Sequence, residues 1–219
     1  MHYSCNGVTV FAEDAAKPAS QYSSYVVDLL NELGPFRNGL DYGCGKLRYA
    51  TCLYHLTKTL TVVDSTAQIE RDQLLFGIRT TVREYVRKYW AATRALDVEQ
   101  FRSDLRCYDF ALCSNVLSSV PDCCDRTAIL ALVGSRLARN GRLLVSCQYT
   151  NSYFSDKMRD KETLKYNDGF LLGSSRRASF YGLIPLPKLE SYVVAAGLSV
   201  CESWRHNQSA YVVAAKGIL

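Results

Sequence analysis

The hydrophobic positions of the chain switch repeatedly between a helical period and short unbroken runs. Tyr22, Tyr25, Val26, Leu29, Leu30 and Leu33 share one helical face, and Gly34-Pro35 ends that stripe. Gly39 to Tyr42 is a short apolar run that stops at Gly43-Cys44-Gly45, the pattern of a strand meeting a tight turn, and a helix is predicted from Lys46 to Leu56. Thr59 to Asp64 is β-branched and reads as a buried strand, with Ser65 or Thr66 placed to cap a helix over Ile69 to Phe76. Helical spacing returns at Val82, Val86 and Tyr89, where Glu84 stands four residues before Lys88.

A weaker strand over Thr93 to Asp97 and a strong one over Tyr108 to Ser114 follow. Pro121 opens a helix carrying Ile129, Leu130, Val133 and Leu137, which Asn140-Gly141 is predicted to close, and Arg142 to Gln148 is another strand. Tyr149 to Pro187 has no clean period and reads as a long, partly structured loop. Leu189 to Ala196 forms a last helix, and two strands over 200–205 and 209–216 make an antiparallel hairpin about His206-Asn207-Gln208. Strands separated by helices indicate an α/β fold, a mostly parallel sheet covered on both faces and made mixed by the C-terminal antiparallel hairpin.

Composition narrows the function classes. A chain of 219 residues, 48% hydrophobic and 21% charged, is an ordinary globular protein and is expected to form one domain over 1–219. The net charge of +5 permits acidic partners without requiring nucleic acid. Nine cysteines without any CxxC pair argue against a zinc knuckle and a secreted disulfide framework, so reduced, buried thiols in a cytoplasmic protein are expected, with no metal. Cys123-Cys124 is expected to pack inertly, with at most one thiol facing the core. No basic-then-apolar leader stands at 1–10 and no run suits a membrane helix.

Candidate chemistry gathers at predicted strand ends. Asp41, Asp64 and Asp97 each stand at the carboxyl end of a strand, where open α/β sheets bind ligands. Gly43 and Gly45 allow a ligand close to the backbone. Asp64 follows Asp41 by 23 residues, a separation at which an acid reaches the ribose hydroxyls of a nucleoside. A dinucleotide and S-adenosyl-L-methionine both suit this layout. Arg48 occupies the position where a dinucleotide fold needs Gly or Ala, and an acid at Asp41 would repel a pyrophosphate but accept hydrogen bonds from a cationic amine, which favours S-adenosyl-L-methionine.

Leu40-Asp41-Tyr42-Gly43-Cys44-Gly45 resembles the first motif of class I S-adenosylmethionine-dependent methyltransferases. Tyr108 to Leu117 resembles their fourth-strand motif, and Arg126 to Ser146 the following helix, turn and strand. The resemblance implies a Rossmann-like seven-stranded mixed sheet, with Asp41, Gly43 and Gly45 on the methionyl part of the cofactor. It likewise implies Asp64 on the ribose, Asp97 with Val98 on the adenine, and Ser114 with Asn115 on the methyl-transfer face. Leu47 departs from the pattern where many relatives carry a third glycine. The 33 residues between Asp64 and Asp97 make a long separation, which leaves Asp104 as a rival of Asp97.

On this reading residues 1–38 are an N-terminal helical cap and 150–187 a loop over the cleft, in which Lys157, Arg159, Lys161, Lys165, Arg176 and Arg177 are either a solvated face or a guide for an anionic substrate. Tyr22, Tyr149, Tyr153 and Tyr181 are aromatics for core, rim or sulfonium contact. His55 and His206 are read as packing and turn residues, and no catalytic base is assigned. Ser114-Asn115-Val116-Leu117 lacks the Asn/Asp-Pro-Pro-aromatic signature that resembles nucleobase amine methylation. A methyltransferase with a small-molecule acceptor is therefore expected, the alternatives being an RNA or DNA methyltransferase and a non-catalytic methyltransferase-like binding module.

Overall fold

A computed structural model describes residues 2–174 and 176–217. The chain opens with two short strands, β1 (His2–Cys5) and β2 (Val8–Phe11), paired antiparallel about Asn6-Gly7. Both turn residues have positive φ, 51° and 79°, the geometry of a type I′ hairpin. The helical cap expected over 1–38 is thus only partly helical: a hairpin and a single 3-10 turn precede α1 (Ser24–Leu33). β3 (Phe36–Tyr42) leads through the glycine turn to α2 (Ala50–Leu56), and β4 (Thr57–Asp64) leads to α3 (Thr66–Glu70).

The helix expected over Ile69 to Phe76 is cut short. It stops at Glu70, and β5 (Gln73–Leu75) and β6 (Ile78–Thr80) form a hairpin on Phe76 and Gly77, again both at positive φ. Thr81 caps α4 (Val82–Tyr89), which precedes β7 (Thr93–Asp97), α5 (Val98–Ser103) and β8 (Tyr108–Ser114). α6 (Cys123–Ser135) ends earlier than its apolar stripe suggests, and β9 (Leu137–Gln148) runs through Asn140-Gly141. Gly141 is there for proximity, since a Cβ would stand 2.5 Å from the carbonyl oxygen of Tyr108.

The stretch expected as a loop over 150–187 holds α7 (Ser152–Arg159), β10 (Lys165–Tyr166), β11 (Gly169–Gly173) and β12 (Ala178–Gly182). α8 (Leu186–Ala195), β13 (Leu198–His206) and β14 (Ser209–Lys216) complete the chain. The main sheet is seven-stranded and mixed, in the order β13-β14-β9-β8-β3-β4-β7, with β3, β4, β7 and β8 parallel and the C-terminal hairpin antiparallel. Leu60 to Val63 and Gly39 to Tyr42 are buried residue after residue, as parallel strands covered on both faces must be. Among the described residues no helix is long and apolar enough to cross a membrane.

Two compact units make up the chain. One takes Ala16–Leu112 and Arg136–Gly141, hence β3, β4 and β7 with helices α1 to α5. The other takes the first fifteen residues, Cys113–Ser135 and everything from Arg142 onward, including a five-stranded sheet in the order β1-β2-β12-β11-β10. Apolar side chains of that smaller sheet, Val10, Leu171 and Phe180 among them, form a core of their own.

The second unit is tied together by Arg126, 1% exposed although it is an arginine. Its guanidinium meets both carboxylate oxygens of Asp168 (2.5 and 2.8 Å), the Tyr192 hydroxyl (3.0 Å) and the Val120 carbonyl (2.7 Å). Lys188 reaches the same carboxylate at 2.8 Å, and together the two cations outweigh burial and hold Asp168 below the usual carboxylate range. Four elements thus meet at one buried charge. Gly182 leaves room for it, because a Cβ would lie 2.5 Å from an Arg126 nitrogen. Removing one partner of a buried pair strands the other, so Asp168→Ala is expected to lower the urea-unfolding free energy by about 3 to 5 kcal/mol.

Candidate functional site

Three adjacent parallel strands bring the predicted acids together. Asp41 lies one residue before the end of β3, and Asp64 and Asp97 end β4 and β7, where they are direct register partners. The turn after β3 is fixed to β4 by two amides on one acceptor: Gly43 N and Cys44 N donate to the Val63 carbonyl at 2.8 and 3.0 Å. Gly43 and Gly45 adopt φ of 76° and 53°, so the turn uses the left-handed region that glycine enters without a steric cost. Leu47 does so as well, at φ 62°, and is fully buried. Where the resemblance led to glycine, this chain holds the same backbone conformation with a leucine anchored in the core.

Asp64 is the hub of the turn. Its Oδ2 accepts from the Gly45 amide at 2.8 Å and its Oδ1 from the Ser65 amide at 2.7 Å. Gln68, a residue the sequence gave no reason to single out, grips the turn from the other side: its Nε2 donates to the Gly45 carbonyl at 2.6 Å and to Gln73 Oε1 at 3.1 Å. Gln73 Nε2 returns a bond to the Gln68 carbonyl at 3.0 Å. The only hint in the sequence was position, in the first turn of a helix that Ser65 caps.

Asp41 is 3% exposed and its carboxyl is pushed up to about 7. Burial is the main cause and the charge of Asp64 the second, while Arg48 pulls the other way. Cys44 is buried rather than exposed by its flanking glycines, and burial pushes its thiol well above the ordinary value.

Asp97 caps α5 in a reciprocal capping box: its Oδ1 accepts from Gln100 N at 2.9 Å, and Gln100 Oε1 accepts from Asp97 N at 3.1 Å. Arg83 Nη2 lies 3.7 Å from its other oxygen. Val98, first in that helix, is half-buried. Asp104, the rival, is engaged elsewhere: Arg94 Nη2 sits 2.6 Å from Oδ2 and the Tyr108 hydroxyl donates to it at 3.1 Å. Partial burial raises the Asp104 carboxyl, but Arg94 and Tyr108 more than offset this and hold it below its ordinary range.

Asp41, Gly43, Gly45, Asp64, Asp97 and Val98 therefore share one unit, whereas Ser114 and Asn115 belong to the other. Ser114 Oγ is 2.8 Å from Ser146 Oγ in a buried pair. Asn115 has φ 58°, donates from its amide to the Ser146 carbonyl (2.7 Å), and accepts at Oδ1 from the Gln148 amide (2.9 Å). These bonds tie the end of β8 to β9.

Of the basic residues near 150–187, Arg177 is held by Asp14 at 2.7 and 2.8 Å and lies over the Phe11 ring. Tyr181 stacks on Phe170, Tyr22 and Tyr153 are exposed, and Tyr149 is partly buried. His55 is exposed beside Tyr54. Neither Cys123 nor Cys124 faces the core, within the expected limit of one, but both thiols are exposed and not packed, because both precede the first buried position of α6.

No family model matches the sequence. The chain is 34% identical over 213 residues to the uncharacterized protein YmfD of Escherichia coli K12, a match spanning 97% of this chain and 95% of that protein. Among solved structures, an S-adenosylmethionine-dependent methyltransferase from Clostridium acetobutylicum superposes with a TM-score of 0.62 at 15% identity, over 93% of this chain and 94% of the other. The 1,6-didemethyltoxoflavin-N1-methyltransferase of Burkholderia thailandensis, solved with 1,6-didemethyltoxoflavin and S-adenosylhomocysteine, gives a TM-score of 0.58 at 17% identity over 91% and 79%.

The raised Asp41 carboxyl has a defined effect on stability. Between its ordinary value of 3.8 and about 7 the folded chain keeps a proton that the unfolded chain has lost, so Asp41 makes the protein progressively less stable as pH rises through that window. The neutral isostere removes the slope. Urea unfolding at successive pH values should show Asp41→Asn gaining on the native protein from pH 4 to 7, with the gap constant above.

Proposed function

Since the chain belongs to the family of the Escherichia coli protein YmfD and has the fold of class I S-adenosylmethionine-dependent methyltransferases, we propose that it transfers a methyl group from S-adenosyl-L-methionine to a small-molecule acceptor. The observation that carries this reading is the carboxylate of Asp64, oriented by two backbone amides at the tip of β4 beside a glycine turn of left-handed backbone. A carboxylate held in this orientation suits the paired hydroxyls of a ribose. Asp41, behind the turn, supplies a carboxyl that becomes negative most readily when a cation arrives, as the methionyl ammonium would.

Gly43 and Gly45, assigned to the methionyl part, supply the left-handed backbone of the turn, and Gln68 holds the Gly45 peptide in place. Asp97 and Val98, next to Asp64 on the neighbouring strand, are assigned to the adenine, Asp97 acting while it caps α5. Ser114 and Asn115 are assigned to the methyl-transfer face on motif resemblance alone.

The bound donor would supply a methyl group already activated by a sulfonium leaving group. What remains for the protein is to hold donor and acceptor in line, a contribution that alignment alone makes large. No general base is needed for an acceptor that arrives deprotonated. The small-molecule choice is supported by the Burkholderia thailandensis neighbour, whose structure holds a small molecule beside S-adenosylhomocysteine. The polynucleotide alternative rests on the mild positive charge and the basic residues of 150–187, of which Arg177 forms an exposed ion pair with Asp14. A cytoplasmic setting accords with nine cysteines and no CxxC pair.

Calorimetric titration with S-adenosylhomocysteine tests the reading. The native chain should bind, and Asp64→Ala should weaken binding by about 1 to 3 kcal/mol through lost charged hydrogen bonds while remaining folded by circular dichroism. Absence of binding by the native chain would end the methyltransferase reading. Polynucleotide binding with a steep salt dependence would move the acceptor from small molecules to nucleic acid.

A further inference from the structure

The turn that opens α6 places three metal-ligating side chains at consecutive positions. One ligand atom each from Asp122, Cys123 and Cys124 falls within 4.8 Å of the other two, and all three residues are exposed. The backbone beneath them is fixed. Asp122 Oδ1 accepts from the Cys124 and Asp125 amides at 2.7 and 3.2 Å. The carbonyl of buried Pro121 accepts from Asn167 Nδ2 at 3.1 Å, and that of Val120 accepts from the buried Arg126. These backbone-anchoring bonds are made by oxygen and nitrogen atoms, whereas the Cys124 thiol bonds to the Cys123 and Asp122 side chains, contacts within the cluster that an ion would replace.

We propose that Asp122, Cys123 and Cys124 bind one thiophilic divalent cation of the zinc and cadmium class through both sulfurs and the second oxygen of Asp122, with solvent as the fourth ligand. The dimensions agree. With metal–sulfur bonds of about 2.3 Å, tetrahedral geometry puts two sulfurs about 3.8 Å apart. The observed spread of up to 4.8 Å closes to that by rotation of exposed side chains. Two thiolates select a soft ion over magnesium or calcium, which prefer oxygen. On binding, each thiol gives its proton to solvent as its metal–sulfur bond forms.

Charge also favours the site. Two thiolates and a carboxylate crowd three negative groups together, and a divalent ion reduces the sum to one. That residual negative charge lies at the amino end of α6, where the helix dipole stabilises an anion. None of the three residues belongs to the proposed cofactor site, so this inference is independent of the methyl-transfer reading.

The test uses the full chain, reduced with a phosphine, and cadmium ion as probe, followed by thiolate-to-cadmium charge-transfer absorption. One equivalent should saturate the band. Cys123→Ser and Cys124→Ser should each weaken binding at least tenfold, and Asp122→Asn, which keeps the helix cap, several-fold. Cys107→Ser and Cys201→Ser, at the other exposed thiols, should leave the titration unchanged. Circular dichroism confirms that each variant is folded. Overturning results are a native chain that is folded yet gives no band, serine variants at 123 and 124 that titrate like the native chain, an asparagine at 122 without effect, or a band that disappears only with Cys107 or Cys201.

Discussion

Two amides converging on the Val63 carbonyl determine where the candidate site stands. By donating together, Gly43 and Cys44 stop β3 from running on and bend the chain across the end of β4. That bend delivers the Gly45 amide to Asp64, and the Gly45 carbonyl then falls to Gln68. The amides of residues 43 to 45 and the Gly45 carbonyl are thus bonded to the neighbouring strand or the helix after it, which ties the turn to the sheet from which it projects. Such a frame requires positive φ at alternate positions, 43, 45 and 47, which explains both the glycines and the strain at Leu47.

Leucine in that conformation needs compensation, and its environment identifies the source. Leu47 is fully buried, and its amide donates to the Cys44 carbonyl at 2.8 Å. Burying a leucine side chain contributes about 2 kcal/mol, against a left-handed penalty of about 1 to 2 kcal/mol. The two nearly cancel. A third glycine is therefore one solution to this turn and not a requirement, which is why its absence from the sequence did not signal a different fold.

What the sequence revealed depended on how local each signal was. The strand and acid at Thr59 to Asp64, the turn at Gly43 to Gly45, and the strand at Tyr108 to Ser114 were legible because burial on both faces and positive φ leave compositional marks. The opening hairpin carried a mark too, Asn6-Gly7, but its flanking strands are only four residues long and lack sustained alternation. β10 to β12 were hidden for another reason: they pair locally as a meander within 165–182, but strands of two to five residues are too short to show alternation, and the edge of β12 is covered by β2, some 170 residues earlier. Gly141 misled because a glycine after a helix and a glycine admitting a close backbone look the same in one dimension. Asp64 could be foreseen from spacing, whereas Gln68 could not, since its role exists only after the turn folds back on it.

Two buried ionisable side chains, Arg126 in one unit and Asp41 in the other, resolve the same difficulty in opposite ways. Arg126 cannot shed its charge, so the fold surrounds it with Asp168, Tyr192 and a carbonyl, a fully satisfied arrangement that fixes structure and has nothing left to offer a ligand. Asp41 has no such partner: burial and the nearby Asp64 hold its carboxyl at about 7. A carboxyl kept on the edge of ionisation near the end of a strand responds electrostatically to an approaching cation, whereas a satisfied pair does not.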